Sequence, residues 1–361
     1  MLKTIKNVLV KIDGINLIIN VNYFGKNSHG LYLSKCGFSS NNKVTICCGF
    51  STNIYESIEK CISEFCERYL LLFESNKVKF QLKKIPRFLQ PNEYNLNETF
   101  EVITKYPSRS EWLIPKRLFN PYADGNKIID GTGFAAHVDF DSAIIHALSE
   151  IYERHCVGVL WDNGKCIIKK KMNINNAQIT NTYFTNNLKL EIYEIILNDK
   201  IPMSCYIAIT IDDENRCYFG SAASTRINSA ILSAIYESLT MYINVKDTWI
   251  GDQNLHGRIK ELWEVCNNKS NIQYTFLTNK ASSNDQPKLI KKNKTDITAK
   301  EILDSFNTTF KGVYYKDMGK VSNRYVVKYI VPKAYIRYPF GFKSSKIKWN
   351  TKENPLTYPF G

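Results

Sequence analysis

The chain has 361 residues, a formal net charge of +14 and 44% hydrophobic residues, which places it among ordinary globular proteins with enough length to bury a large core. No apolar run reaches the roughly 18 residues needed to span a bilayer, so a membrane-spanning helix is not expected. Ten cysteines without a Cys-x-x-Cys and five scattered histidines argue against zinc; in the cytosol, the compartment expected here, the thiols stay reduced.

The amino-terminal stretch MLKTIKNVLVKIDGINLIIN is interrupted by charges, and its apolar runs flank Asp13-Gly14, so it reads as a β-hairpin and not as a signal sequence. A strand candidate from Val44 to Cys48 leads through Gly49 into GFSTNIYESIEKCISEFCERY. A second copy of this glycine-then-helix pattern, GFAAHVDFDSAIIHALSEIYERH, starts at Gly133. A third, GSAASTRINSAILSAIYESLTMY, starts at Gly220 after strand candidates Tyr206 to Ile211 and Tyr218 to Phe219. Their leading glutamates, Glu64, Glu150 and Glu237, lie 86 and 87 residues apart and follow their glycines by 15, 17 and 17 residues. A long fixed period marks a repeated supersecondary unit, here with motifs at 49–69, 133–155 and 220–242. The stretch 267–300, rich in Asn, Ser and Lys, reads as a long exposed loop, and Arg324 to Tyr329 as a further strand. The order of strand, turn and helix predicts an α+β or α/β fold, a single unit over 1–361 with three repeat helices around one cleft.

The first two copies share Glu-x-x-Glu-Arg, and residues three apart lie on one helical face. In the second copy Ile144, Leu148 and Ile151 form an apolar face that Ile145, Tyr152 and Cys156 extend, leaving a strip of His146, Ser149, Glu150 and Glu153. The first copy sets Ile58, Ile62 and Phe65 opposite Glu64 and Glu67. Helices this apolar are largely buried, so the acidic strip should face a cleft. Carboxylates gathered there resist ionisation unless cations join them. Such hard oxygen ligands suit Mg²⁺, which takes one or two carboxylates plus phosphate oxygens. Glu64 with Arg68 and Glu150 with Arg154 would also serve as ordinary i,i+4 surface pairs; duplication in one register favours metal and phosphate.

The run GTGFAAHVDFDSAIIHALSEIYERHC, residues 131–156, is similar to the second nucleotide-binding motif of the YcaO family. CISEFCERY, residues 61–69, resembles the first motif, and SAILSAIYESLTMY, residues 229–242, takes the place of the third. The ending NPLTYPFG, within a tail at 353–361, resembles the proline-rich C-terminus of members that form azoline rings. The resemblance implies a YcaO-type fold, ATP and Mg²⁺ as cofactors, and activation of a backbone amide in a ribosomally made precursor peptide. A Cys, Ser or Thr side chain attacks the preceding carbonyl, ATP phosphorylates the resulting oxyanion, and phosphate departs as the ring closes. On this resemblance Glu64, Glu67, Glu150 and Glu153 are assigned to Mg²⁺ and Arg154 to the nucleotide phosphates, with Glu237 contributing from the third copy. Arg68 binds nucleotide or only orients Glu64. Pro359 and Gly361 are assigned to catalysis, the terminal carboxylate orienting substrate or accepting a proton.

Departures from the family pattern are specific. Where many members carry Gly-Lys-Gly, the chain reads Gly49-Phe50-Ser51, so a phosphate-contacting lysine is absent there and Lys43 could replace it only by a different path. In the third copy Thr240 and Tyr242 are read as replacing Gln and Arg, and the terminal Pro-x-Pro-x-Pro becomes Pro-x-x-x-Pro-x-Gly. These changes resemble the divergent cyclodehydratase subunits of thiazole/oxazole-modified microcin synthetases. The family then implies a separate leader-binding subunit, adenylating-enzyme-like or winged-helix-like. If the product is an aromatic azole, a flavin-dependent azoline dehydrogenase is needed too, as a separate protein because this chain has no Gly-x-Gly-x-x-Gly to bind flavin itself; a homodimer within that complex is left open. Residues 281–361 hold 16 Lys or Arg against 6 Asp or Glu, which suits an acidic leader or partner protein and equally a solvated face; no nucleic-acid motif accompanies the charge. Thioamide or amidine formation, and a scaffold that binds peptide or nucleotide without catalysis, remain as alternatives.

Overall fold

The computed structural model describes residues 2–24, 30–40, 43–73, 87–88, 100–115, 119, 131–162, 166–171, 176–247, 266, 272–282 and 297–334. The first hairpin joins β1 (Leu2–Ile12) to β2 (Ile15–Phe24). Asp13 and Gly14 sit at φ 46° and 85°, the paired positive values that a tight two-residue turn demands. With β3 (Leu31–Ser40) and β4 (Lys43–Ser51) they make an antiparallel meander, the first sheet.

The second sheet draws on distant parts of the chain. Its order is β5 (Arg87–Phe88), β7 (Ser110–Pro115), β6 (Phe100–Tyr106), β13 (Val313–Val321), β14 (Arg324–Ile330) and β8 (Phe134–His137). The third runs β12 (Cys217–Ser224), β11 (Ser204–Ile211), β10 (Lys189–Leu197) and β9 (Cys166–Lys171). Every pairing but β5 with β7 is antiparallel, so the fold is α+β and the parallel α/β alternative is excluded. All four strand candidates lie within β4, β11, β12 and β14.

Each repeat helix leaves the last strand of a different sheet. Helix α1 (Ile54–Phe73) follows β4, α2 (Phe140–Trp161) follows β8, and α4 (Ile227–Asp247) follows β12, while the short α3 (Ala177–Thr185) precedes β10. Helix α1 packs between the first and second sheets, α2 between the second and third, and α4 between the third and the first. Helices and sheets thus alternate around a closed ring. The sequence makes this workable because strands are apolar on both faces. In β11 every residue is buried, with Cys205, Ile207 and Ile209 in the core around α2 and Tyr206 and Ala208 in the core around α4. In β14, Val326 joins the α1 core and Val327 the α2 core.

Two glycines bring strand backbone directly onto helix. A Cβ at Gly49 would lie 1.9 Å from the Ser57 carbonyl oxygen, and one at Gly220 2.4 Å from that of Ala234.

The stretch 267–300 is not simply an exposed loop. It contains α5 (Ile272–Ser282), and the first residues of α6 (Ala299–Phe310) fall at its end. Among the polar residues, Phe276 meets Trp161 with ring centroids 5.0 Å apart and Leu277 is fully buried, so a few apolar side chains were enough to fix a helix. The remainder of 267–300, and the tail 353–361 with Pro359 and Gly361, lie outside the described residues. No helix among the described residues is long and apolar enough to cross a membrane.

Candidate functional site

The two faces inferred for the repeat helices are present except at Ile145, which is half-buried and lines the cleft beside Glu150 and Glu153 and does not extend the buried face. Ile144, Leu148, Ile151, Tyr152 and Cys156 are buried, as are Ile58, Ile62 and Phe65, while the glutamates turn toward a cleft. The leading glutamate of each repeat motif reaches back toward its own sheet and accepts a backbone N–H. Glu64 accepts from Cys48 at 2.7 Å, Glu150 from Gly133 at 2.9 Å, and Glu237 from Ser221 at 2.6 Å. Counted from the donating N–H the spacings are 16, 17 and 16 residues. The unit that repeats is thus a strand-end amide and a carboxylate, and the glycines only approximate its register.

The second glutamate reaches forward to the next sheet. Glu67 on α1 accepts from the Ala136 N–H on β8 at 2.9 Å, and Glu153 on α2 accepts from the Ser221 hydroxyl on β12 at 2.7 Å. Each Glu-x-x-Glu therefore bridges two sheets. The third copy breaks the pattern: the Thr240 hydroxyl donates to the Tyr236 carbonyl of its own helix at 2.8 Å. Met241 stands four residues after Glu237, in the register that Arg68 and Arg154 occupy in the other copies. Tyr242 packs edge-on to Phe24 and Tyr218. Aromatic contact closes this junction, Phe50 meeting Tyr236 edge to face at 5.6 Å.

Burial sets the electrostatics. It pushes the Glu67 carboxyl up to about 8 against the Ala136 N–H, with the charges of Glu64 and Glu150 adding to the rise. Burial likewise pushes Glu153 up to about 8, with Glu237 and Glu150 adding and Arg154 opposing. Glu64 and Glu237 are raised by burial and restrained by Arg68 and Arg154 respectively. Since Glu150 acts on both Glu67 and Glu153, the five carboxylates form one continuous line, Glu64, Glu67, Glu150, Glu153, Glu237.

That line faces two adjoining cavities. One of about 590 Å³ is walled by Glu64, Glu67 and Arg68; its neighbour, of about 760 Å³, by Glu153, Arg154 and Ser221. Glu150, Glu237 and His146 border both. The structure therefore brings together every described residue expected at the site. Sequence reasoning missed Ser221, whose tie to Glu153 spans 68 residues, and Lys60, whose place four residues before Glu64 on the same helical face was a usable signal. ATP with Mg²⁺ fits this donor set. Five carboxylates crowded along one cleft call for cations. No three His, Cys, Asp or Glu side chains among the described residues are placed to hold a metal ion by themselves.

The family model for YcaO cyclodehydratases, ATP- and Mg²⁺-binding, matches residues 103–335, a span that holds the second and third copies. In fold the chain is similar to YcaO from Methanopyrus kandleri bound with AMPPCP and Mg²⁺, at TM-score 0.64 and 13% identity over 87% of this chain and 85% of that one. It is similar to a heterocyclase in complex with substrate and cofactor, at TM-score 0.66 and 14% identity, covering 94% of this chain and 51% of the other. For the heterocyclase TruD the values are 0.51 and 16%, covering 71% and 39%. The chain thus spans about half or less of the heterocyclase chains it matches. Curated proteins give no match. With the family model covering well over half of its length, the chain belongs to the YcaO family, whose cofactors are ATP and Mg²⁺.

Proposed function

We propose that the chain is an ATP-dependent cyclodehydratase that converts Cys, Ser or Thr residues of a ribosomally made precursor peptide to thiazoline or oxazoline. The observation that carries this reading is the line of five glutamates, each fastened to a sheet and open to the cleft between Arg68 and Arg154.

Glu64, Glu67, Glu150 and Glu153 would hold Mg²⁺, Glu237 would support them from the third copy, and Arg154 would take the nucleotide phosphates. Arg68 lies 3.4 Å from Glu64 and serves to orient it. ATP supplies the phosphoryl group that turns an amide oxygen into a leaving group. The chain's own contribution is position and neutralised charge. The backbone N–H groups of Cys48, Gly133, Ala136 and Ser221 fix the carboxylates before any ligand arrives, and the raised carboxyls release their protons as cations enter.

A separate leader-binding subunit and, for azole products, a flavin-dependent dehydrogenase complete the assembly, with the cytoplasm as its compartment; an azole-modified microcin is the product class the divergent motifs favour. Incubation with ATP, Mg²⁺, a candidate precursor and the products of neighbouring genes should release phosphate and lower the peptide mass by about 18 Da per ring. A gain of about 16 Da would indicate a thioamide, and no change with no phosphate released would favour a binding scaffold. The missing third-copy carboxylate at Thr240 is the observation behind that last reading.

A further inference from the structure

The strand end at Phe50 carries no lysine, yet an ammonium group stands beside it. Lys60 lies on α1, so Lys60, Glu64 and Glu67 follow at i, i+4 and i+7 along one helical face. Its Nζ donates to the Phe50 carbonyl oxygen at 3.3 Å and sits 5.1 Å from the centre of the Tyr236 ring on α4. It borders the same cavity as Glu64, Glu67, Glu150 and Glu237. Lys43, seven residues before Phe50 on β4, is about 23 Å away along an extended strand.

The other cations at this cavity are engaged. Arg68 pairs with Glu64, and Arg324 with Glu59 and Ser63. Lys60 instead rests on Glu56 at 2.8 Å, with the two side chains 41% and 53% exposed. An exposed pair of this kind is weak and screened by salt. The ammonium, on a flexible four-carbon stem, is free to exchange that partner for a more highly charged one.

We propose that Lys60 carries positive charge to the phosphates of the bound nucleotide, doing from the helix what the strand end at Phe50 does not do. This rests on the cleft being the ATP·Mg²⁺ site. At rest, Glu56 and the Phe50 carbonyl hold the ammonium at the mouth of the cavity; on binding it turns inward beside the Glu64 and Glu67 carboxylates.

The test is calorimetric titration of the ligand-free protein with Mg·AMP-PNP and, in parallel, with adenosine. Lys60→Met should weaken Mg·AMP-PNP at least tenfold and leave adenosine within twofold. Lys60→Arg should recover most of the loss, and the salt dependence of binding should be shallower in Lys60→Met. Thermal melting without ligand should change little, because the Glu56 pair is exposed and the contacts to the Phe50 carbonyl and the Tyr236 ring are long. Unaltered Mg·AMP-PNP affinity in Lys60→Met overturns the role of Lys60 while leaving the site intact. Equal weakening of adenosine overturns it in favour of a packing role. Failure of the wild type itself to bind Mg·AMP-PNP overturns both this inference and the reading of the cleft.

Discussion

The junctions at α2 and α4 come from the same repeat yet hold their sheets together by opposite means. Helix α2 spans the second and third sheets with two carboxylates, Glu150 on the Gly133 N–H and Glu153 on the Ser221 hydroxyl. Helix α4 keeps one carboxylate, Glu237, and meets the first sheet through Phe50 against Tyr236, Tyr242 against Phe24, and Lys35 donating to Asn244 at 2.9 Å. A ring of sheets can therefore be closed by ordinary aromatic packing. On the proposed reading the acid pairs at the other junctions serve the ligand, and their crowding costs stability when it is absent.

The largest effect should come from the forward-reaching carboxylates. Glu67→Gln and Glu153→Gln keep an oxygen that can accept from Ala136 or Ser221 but remove the charge, so turnover should fall about 10³-fold, roughly 4 kcal/mol of transition-state stabilisation, with the melting temperature kept. Steady-state phosphate release measures this, and activity within tenfold of wild type would break the contrast between junctions. At the packed junction the loss should appear in stability instead. Phe50→Ala removes a ring that is 6% exposed and should cost about 3 kcal/mol in denaturant unfolding; a neutral result would mean the aromatics do not close the ring.

The acid pairs also make a pH dependence with a definite sign. Glu67 and Glu153 rise from 4.5 to about 8 in the folded chain, burial being the main cause. They contribute stability that is full below the unfolded value and is lost as pH rises to about 8. Each proton retained by the native state is worth up to about 1.4 kcal/mol per pH unit across that window. Unfolding of the ligand-free protein followed from about pH 5 to about pH 8 should show this decline. Glu153→Gln should flatten it, and an unchanged slope would place the titration elsewhere. The smallest effect belongs to Thr240→Ala. That residue occupies the register of Glu67 and Glu153 but bonds only within its helix, so phosphate release should change less than about twofold; a large loss would show that the third junction also serves the ligand.

Much of this was legible from local pattern. The hairpin at Asp13-Gly14 followed from turn chemistry, and the buried faces of α1 and α2 from a period of 3.6 residues. The convergence of Glu64, Glu67, Glu150, Glu153 and Glu237 followed from repetition, which turns a weak three-residue motif into a register. What stayed hidden was non-local. Nothing near Glu67 shows that its partner is an amide 69 residues later, and nothing near Phe50 shows that Tyr236 will meet it. Helix α5 was masked by composition, because Asn, Ser and Lys around Tyr274, Phe276 and Leu277 read as solvent-exposed chain while three apolar side chains did the anchoring.

Since the five carboxylates are moored on three sheets, at Cys48 on the first, Gly133 and Ala136 at the second and Ser221 on the third, neutralising their repulsion also fastens those sheets to one another. Loading the cleft therefore raises the unfolding free energy of the entire ring by RT ln(1 + [L]/Kd), where a ligand bound to one sheet alone would guard only that part. A protease should therefore cut the unloaded chain faster than the loaded one.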